Sequence, residues 1–343
     1  MITLGIIGAG RMAKVHIRSI VTGVSGVRLK AAADPYMSKE TEAWLKGMGI
    51  EETYLDYKLV LADPEIDAVM ICSSTDTHAP ISMEAIAAGK HTFCEKPIDQ
   101  DFAKILPIVD ALANKKHLKY QVGFNRRFDH NFRALHDAVD SGRLGELHFL
   151  RICSRDSVTP PATYVRVSGG IFLDMMIHDI DMLRFLSKSD IDEVYAIGNV
   201  LVDQYFADEG DIDTAVVTFK LKNGAMAVID NSRKAVYGYD QRAEIHGSKG
   251  CAEIRNDEKN TMIMSTNEGV SGNGPVSDTL ERYIPAYASE IASFVKAIEE
   301  DKDTEVNIND GLQSVLIGLA CKKSLLEKRP VKISEIYQAG GEV

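Results

Sequence analysis

The sequence predicts an α/β protein in two parts, a doubly wound domain on a parallel sheet followed by a second domain on a mostly antiparallel sheet. Three observations carry this. At 343 residues the chain is long for one core and comfortable for two. Up to Gly123, short β-branched runs alternate with segments of helical period, the pattern of a parallel sheet covered by helices on both faces. Beyond Gly123, strand-like runs of alternating polarity dominate. The expected domains are residues 1–123 and 124–335.

In the first domain, residues 2–7, 27–33, 68–72, 91–94 and 119–122 read as strands. Residues 11–21, 39–47, 78–88 and 102–113 read as helices, each closing near a glycine or a polar cluster. In the second, a helix at 131–139 precedes strands at 147–154, 193–202, 213–221, 225–232, 242–246 and 251–254. Asn223-Gly224 between two alternating runs predicts a tight hairpin, because both central positions of a type I′ turn need positive φ. The Gly-, Ser- and Asn-rich stretch 268–277 reads as an exposed loop. Helices at 286–299 and 310–327 follow, the second stopped by Pro330.

Composition removes several classes of function. No stretch approaches the ~20 uninterrupted apolar residues of a membrane span. The net charge of −11 is spread along the chain, which argues against nucleic acid or an anionic membrane as partner. Cys72, Cys94, Cys153, Cys251 and Cys321 form no Cys-x-x-Cys, so neither a disulfide framework nor a metal site is expected. The start of the chain runs straight into a strand without a basic export signal, and a reducing cytoplasm is the expected compartment.

Gly8-Ala9-Gly10-Arg11-Met12-Ala13 stands where the first strand should end and the first helix begin, as a dinucleotide fingerprint with Ala for its last Gly. Gly8 permits the tight turn, Gly10 lets the backbone approach a pyrophosphate, and Ala13 lets helix pack on strand, while the helix N-terminus offers N–H groups to phosphates. Asp34 closes the second expected strand, where a carboxylate accepts hydrogen bonds from both adenosine ribose hydroxyls and repels the 2′-phosphate of NADP. Pro35 and Tyr36 supply no cation for that phosphate, so NAD is the expected cofactor.

Glu95-Lys96-Pro97 follows the strand at 91–94, placing Lys96 at the carboxyl end of a parallel sheet, where such sheets bind ligands. Asp174 and His178, in the stretch from Gly169 to Asp181, are four residues apart and share one face if that stretch is a single helix. Taken singly these are ordinary residues: a core histidine, a carboxylate near a helix start, a solvated lysine. As a set they suit oxidation of a secondary alcohol. A neutral His is matched to accept the hydroxyl proton near pH 7, a neighbouring Asp can orient it and stabilise its imidazolium, and Lys96 can hold the reacting oxygen.

These motifs, with Cys72-Ser73-Ser74-Thr75-Asp76-Thr77-His78 and Ala88-Gly89-Lys90-His91-Thr92-Phe93-Cys94, resemble the glucose–fructose oxidoreductase/inositol dehydrogenase family (Gfo/Idh/MocA) over nearly the whole chain. The resemblance implies an N-terminal Rossmann domain, a C-terminal α/β domain on an open, mainly antiparallel sheet, and a homotetramer assembled through those sheets. It implies that Lys96, Asp174 and His178 are catalytic and touch substrate. Cofactor contacts are implied for Gly8, Gly10, Arg11, Met12, Asp34, Ser73, Ser74, His78 and Glu95. Two further stretches, 121–129 and Tyr237-Gly238-Tyr239-Asp240 with Glu244-Ile245-His246-Gly247, are most similar to inositol 2-dehydrogenases. They assign Arg127 and Tyr237 to the polyol pocket, against a structural salt bridge for the first and sheet packing for the second. Where inositol dehydrogenases commonly carry a His before Arg, this chain has Ser154-Arg155, which alters the hydroxyl pattern read.

The expected activity is oxidation of a cyclic polyol, myo-inositol to 2-keto-myo-inositol. The alternatives are another inositol isomer or a pyranose sugar, and a non-catalytic NAD-binding regulator, against which the retention of all three catalytic residues counts.

Overall fold

A computed structural model describes residues 1–338, and the chain divides into two compact units. The first comprises Met1–Phe128 with Ile284–Val315, the second Asp129–Tyr283 with the residues from Leu316 on. In chain order the elements are β1 (Ile2–Ile7), α1 (Arg11–Gly23), β2 (Val27–Ala33), α2 (Lys39–Gly47), β3 (Glu52–Tyr54), α3 (Lys58–Ala62), β4 (Ala68–Ile71), α4 (Thr75–Ala87), β5 (His91–Cys94), α5 (Phe102–Ala113) and β6 (Tyr120–Val122). Then come α6 (His130–Asp140), β7 (Leu147–Arg155), α7 (Ala162–Ser168), α8 (Gly170–Asp174), α9 (Met176–Ser187), β8 (Ile191–Asn199), α10 (Tyr205–Asp208), β9 (Thr214–Leu221), β10 (Met226–Ser232), β11 (Asp240–Gly247) and β12 (Gly250–Ile254). The last are β13 (Ile263–Thr266), β14 (Gly269–Gly272), α11 (Thr279–Glu299), α12 (Ile308–Glu327), β15 (Val331–Lys332) and α13 (Ile333–Gln338).

In the first unit the sheet has the order β3-β2-β1-β4-β5-β6 and every pair is parallel. All residues of β1 and β4 are buried, as a parallel sheet covered on both faces requires. Strand order reverses between β1 and β4, so their carboxyl ends flank the crevice where open α/β sheets bind ligands.

The expected single cut after Gly123 does not describe these units. Ile291, Phe294 and Val295 of α11, spaced as one helical stripe, pack into the core formed by Ile2, Leu4, Ala13, Ile17 and Phe93. The Val122 N–H donates to the Val306 carbonyl, and the Thr304 hydroxyl to the Tyr120 carbonyl. Residues 284–315 therefore complete the first unit rather than the second.

The second unit is built on a sheet of order β12-β11-β7-β10-β9-β8-β15, parallel between β7 and β10 and antiparallel in its other pairs. In β9, Ala215, Val217, Phe219 and Leu221 are buried while Val216, Thr218 and Lys220 face solvent, the alternation of a sheet covered on one side. α9 packs on β7 and β10. The β9–β10 hairpin forms as expected, but its turn is not type I′. The Leu221 N–H donates to the Ala225 carbonyl and the Gly224 N–H to the Leu221 carbonyl, and of Asn223 and Gly224 only Gly224 has positive φ (+91°), the geometry of a three-residue loop. The stretch expected as a loop at 268–277 is exposed up to Gly272, with Val276 buried, and residues 269–272 form β14, paired with β13. Among the described residues no helix is long and apolar enough to cross a membrane, and all five cysteines are free thiols.

Candidate active site

The cofactor end of the first unit is shaped by two glycines. Gly8 follows β1 at φ +90°, and a Cβ there would lie 2.6 Å from the Ser73 nitrogen, so conformation and space both demand glycine. A Cβ on Gly10 would meet no atom within 4 Å, leaving the backbone open to close approach. Gly10 is also the N-cap of α1 and provides no side-chain cap to its first N–H groups, the condition for anion binding at a helix start. Asp34 Oδ2 accepts from the Ala9 N–H at 2.7 Å and Oδ1 from the Tyr36 N–H at 2.8 Å, which fixes its carboxylate against the glycine turn. Arg11 is exposed, Met12 half-buried, and Ser73 and Ser74 lie at the end of β4 with the Ser73 and Thr77 hydroxyls 2.6 Å apart. A glycine cradle, an uncapped helix start and a carboxylate after β2 fit a dinucleotide.

Two expected cofactor contacts are turned inward. Glu95 is buried; its Oε1 lies 2.6 Å from His16 Nε2 and its Oε2 accepts from the Lys96 N–H at 3.2 Å. Burial works against its charge, but the His16 hydrogen bond and the cations of Lys96 and His78 hold its pKa below the ordinary value. His16 is itself wedged edge-on between Phe93 and Tyr287. His78, 2% exposed, has both ring nitrogens committed to backbone carbonyls of Pro97 and Ser73. Both side chains are thus hydrogen-bonded within the first unit. Lys96 itself is half-buried directly after this pair.

In the second unit Gly169 and Gly170 both have positive φ (+86° and +80°), and α8 starts with the Ile171 N–H donating to Asp211 Oδ1 at 3.1 Å. Asp174 ends α8 and His178 lies in the first turn of α9, so the single helix expected here is broken at Met175 (φ −93°, ψ −60°). Asp174 is buried and both its oxygens are committed: the Tyr164 hydroxyl donates to Oδ1 at 2.7 Å and Arg233 Nη1 to Oδ2 at 2.8 Å. Burial opposes the charge of Arg233, but Asp174 and Asp156 outweigh it and raise its pKa. His178 is half-buried, while Asp179 beside it is buried and accepts from Asn231 Nδ2 at 2.9 Å.

The expected polyol residues divide. Arg127 is buried in the first unit, with Nη2 3.0 Å from Asp310 Oδ1 and Nη1 donating to the Glu305 carbonyl, so the salt bridge weighed against a pocket role is present. Tyr237 is half-exposed; its hydroxyl donates to Asp240 Oδ2 at 2.6 Å and accepts from Arg155 Nη1 at 3.0 Å. Ser154 is buried and its hydroxyl donates to Gln241 Oε1.

Comparison with known proteins matches both parts. The oxidoreductase-family NAD-binding Rossmann fold covers residues 2–124, and the GFO/IDH/MocA C-terminal domain covers residues 132–253. The chain belongs to the Gfo/Idh/MocA family. It is similar to myo-inositol 2-dehydrogenase of Thermotoga maritima, at 42% identity over 97% of this chain and 99% of the relative. It is equally similar to inositol 2-dehydrogenase of Rhizobium meliloti, at 42% over 97% of this chain and 99% of that relative. Among solved structures, scyllo-inositol dehydrogenase from Lactobacillus casei with bound NAD(H) and scyllo-inositol superposes with a TM-score of 0.90 at 33% identity, over 97% of this chain and 99% of that one. As a Gfo/Idh/MocA oxidoreductase the chain uses NAD, held by the first unit.

Sequence reasoning missed Arg233, Tyr164 and His16. Arg233 stands at the end of an otherwise alternating strand and His16 on the apolar face of α1, both positions where a polar side chain needs a buried partner.

Proposed function

We propose that this protein is an NAD-dependent dehydrogenase that oxidises a secondary hydroxyl of inositol, converting myo-inositol to 2-keto-myo-inositol. The observation that carries the reading is the commitment of both Asp174 oxygens to Tyr164 and Arg233, four residues before the half-buried His178. A buried carboxylate paired with a guanidinium stays ionised and is a poor proton acceptor at neutral pH. That leaves His178 as the base for the hydroxyl proton, with Asp174 as the anion that favours its imidazolium. Lys96 steadies the same oxygen as negative charge develops on it. NAD, when bound, supplies the hydride acceptor.

Inositol as substrate is supported by the names of the relatives at 42% identity and by Tyr237, whose hydroxyl sits in a polar ladder with Arg155 and Asp240 suited to a polyol. A second reading, another inositol isomer or a pyranose, is favoured by Ser154. Its buried hydroxyl is given to Gln241 and offers nothing equivalent to the imidazole that inositol dehydrogenases commonly carry there. We assign the enzyme to a reducing cytoplasm, in keeping with its free cysteines, and to a homotetramer assembled on the open sheet face that exposes Ile197, Val216 and Met226.

The test is NADH formation by purified protein with NAD or NADP and a panel of myo-, scyllo- and chiro-inositol, glucose, galactose and xylose. Turnover of myo-inositol with NAD is the expected result. Turnover of another member alone would move the assignment to the second reading, and silence across the panel with NAD bound would replace the enzyme by a regulator.

A further inference from the structure

We propose that His78 is a fixed imidazolium, a positioning residue that ties the loop after β4 to the turn after β5 and thereby sets the peptide from which Lys96 projects. The inference rests on the reading of Lys96 as an active-site lysine. Its geometric basis is independent of that reading.

His78 Nδ1 lies 2.8 Å from the Pro97 carbonyl oxygen and Nε2 lies 3.1 Å from the Ser73 carbonyl oxygen. A carbonyl oxygen only accepts, and a neutral imidazole carries a single N–H. In either neutral tautomer one nitrogen would point its lone pair at an oxygen lone pair, inside a site with 2% exposure. Two protons on the ring convert both contacts into charge-assisted hydrogen bonds.

The charge is not orphaned. The titratable groups around the ring are Cys94 at the end of β5 and the carboxylate of Glu95, whose ionised form the His78 cation favours. Burial works against the imidazolium, yet Cys94 and the carbonyls of Pro97 and Ser73 outweigh it and bring its pKa up to about 9. The position also opposes the helix dipole, since His78 lies in the first turn of α4, where a cation is unfavourable. A side chain kept charged against both effects is held by its two acceptors.

Those acceptors lie at the two ends that matter. The Ser73 nitrogen is the atom that a Cβ on Gly8 would strike, so Ser73 abuts the cofactor turn, and Pro97 directly follows Lys96. One ring thus couples the dinucleotide cradle to the lysine.

The test is long-range 1H–15N correlation spectroscopy of the NAD-loaded enzyme carrying 15N-histidine, with His78→Gln identifying the resonances that vanish. Both His78 ring nitrogens should show protonated shifts from about pH 6 to about pH 8 and lose a proton only near pH 9. A singly protonated ring at pH 7 would overturn the proposal, whatever the substrate proves to be, and His78→Asn serves for the assignment where His78→Gln does not fold. In turnover, His78→Gln offers one amide in place of two N–H donors on opposite sides, and misplacing Lys96 by about 1 Å should lower kcat by about 10- to 100-fold with little change in polyol KM. Wild-type kcat in a folded His78→Gln enzyme would remove the positioning role.

Discussion

Replacing Arg233 by Met removes one half of the buried pair that holds Asp174. Arg233 is 2% exposed and its Nη1 stands 2.8 Å from Asp174 Oδ2. At an effective dielectric near 20, unit charges about 4 Å apart attract by about 4 kcal/mol, and removing one partner of a buried pair costs about 3–5 kcal/mol because the other is left uncompensated. Two consequences are expected. Thermal stability falls measurably, and Asp174 takes up a proton more readily, so the acid limb of the kcat/KM profile moves to higher pH and kcat at neutral pH drops. NAD affinity, set by the other unit, stays within about twofold. The assay pairs a pH series of steady-state kinetics with thermal melts and an NAD titration. The double variant Arg233→Met/Asp174→Asn separates the effects: with both charges gone it should regain much of the lost stability and none of the activity. Arg233→Met with wild-type kinetics and an unmoved pH profile would refute the role of the pair.

The cofactor end offers simpler tests. Gly8→Ala must adopt positive φ and push its Cβ to 2.6 Å from backbone, so NAD binding should weaken by at least about tenfold, read by fluorescence titration. Asp34→Ala should weaken NAD and relieve repulsion of the 2′-phosphate, raising the NADP-to-NAD ratio of kcat/KM by about tenfold or more, and an unchanged ratio would show that specificity lies elsewhere. Glu290 is fully buried, neither of its oxygens has a hydrogen-bond partner, and burial first and Glu95 second push its pKa well above the ordinary carboxyl value. The folded chain keeps this proton while the unfolded chain loses it above about pH 4.5, so stability falls with rising pH by about 1.4 kcal/mol per unit across that window. Glu290→Gln should flatten this slope in melts taken from acid to neutral pH, and an identical slope would mean the carboxyl is not the proton held.

What was legible follows the range over which each feature is encoded. β1, β2 and β5 are found at their observed ends, β1 because a strand buried on both faces is written as a local apolar run. β3, α3, α7, α8 and α10 are too short for a period to show. The geometry at Gly8 and Gly10 was readable because those residues lie in one contiguous stretch and their job is backbone geometry. The partner of Asp174 was not, because Arg233 lies 59 positions away, and His16 meets Glu95 across 79. The internal partners of His78 and Glu95 were not legible either, because a motif marks a position and says nothing of which way the side chain points. The break at Met175 was hidden for a similar reason, since consecutive helical residues read as one helix whether or not a backbone kink intervenes.

The stripe of α11 that closes the first core has a consequence for synthesis. Ile291, Phe294 and Val295 are made long after Ile2, yet they seal a core whose first strand begins at that residue. During translation the N-terminal sheet must leave the ribosome with part of its apolar surface bare and wait for most of the remaining chain, a long interval in which chaperones or a neighbouring nascent chain can reach it. A dinucleotide-binding module cut from this protein at residue 128 would inherit that bare surface permanently. A transplantable version has to carry residues 284–315 with it, joined by a new linker.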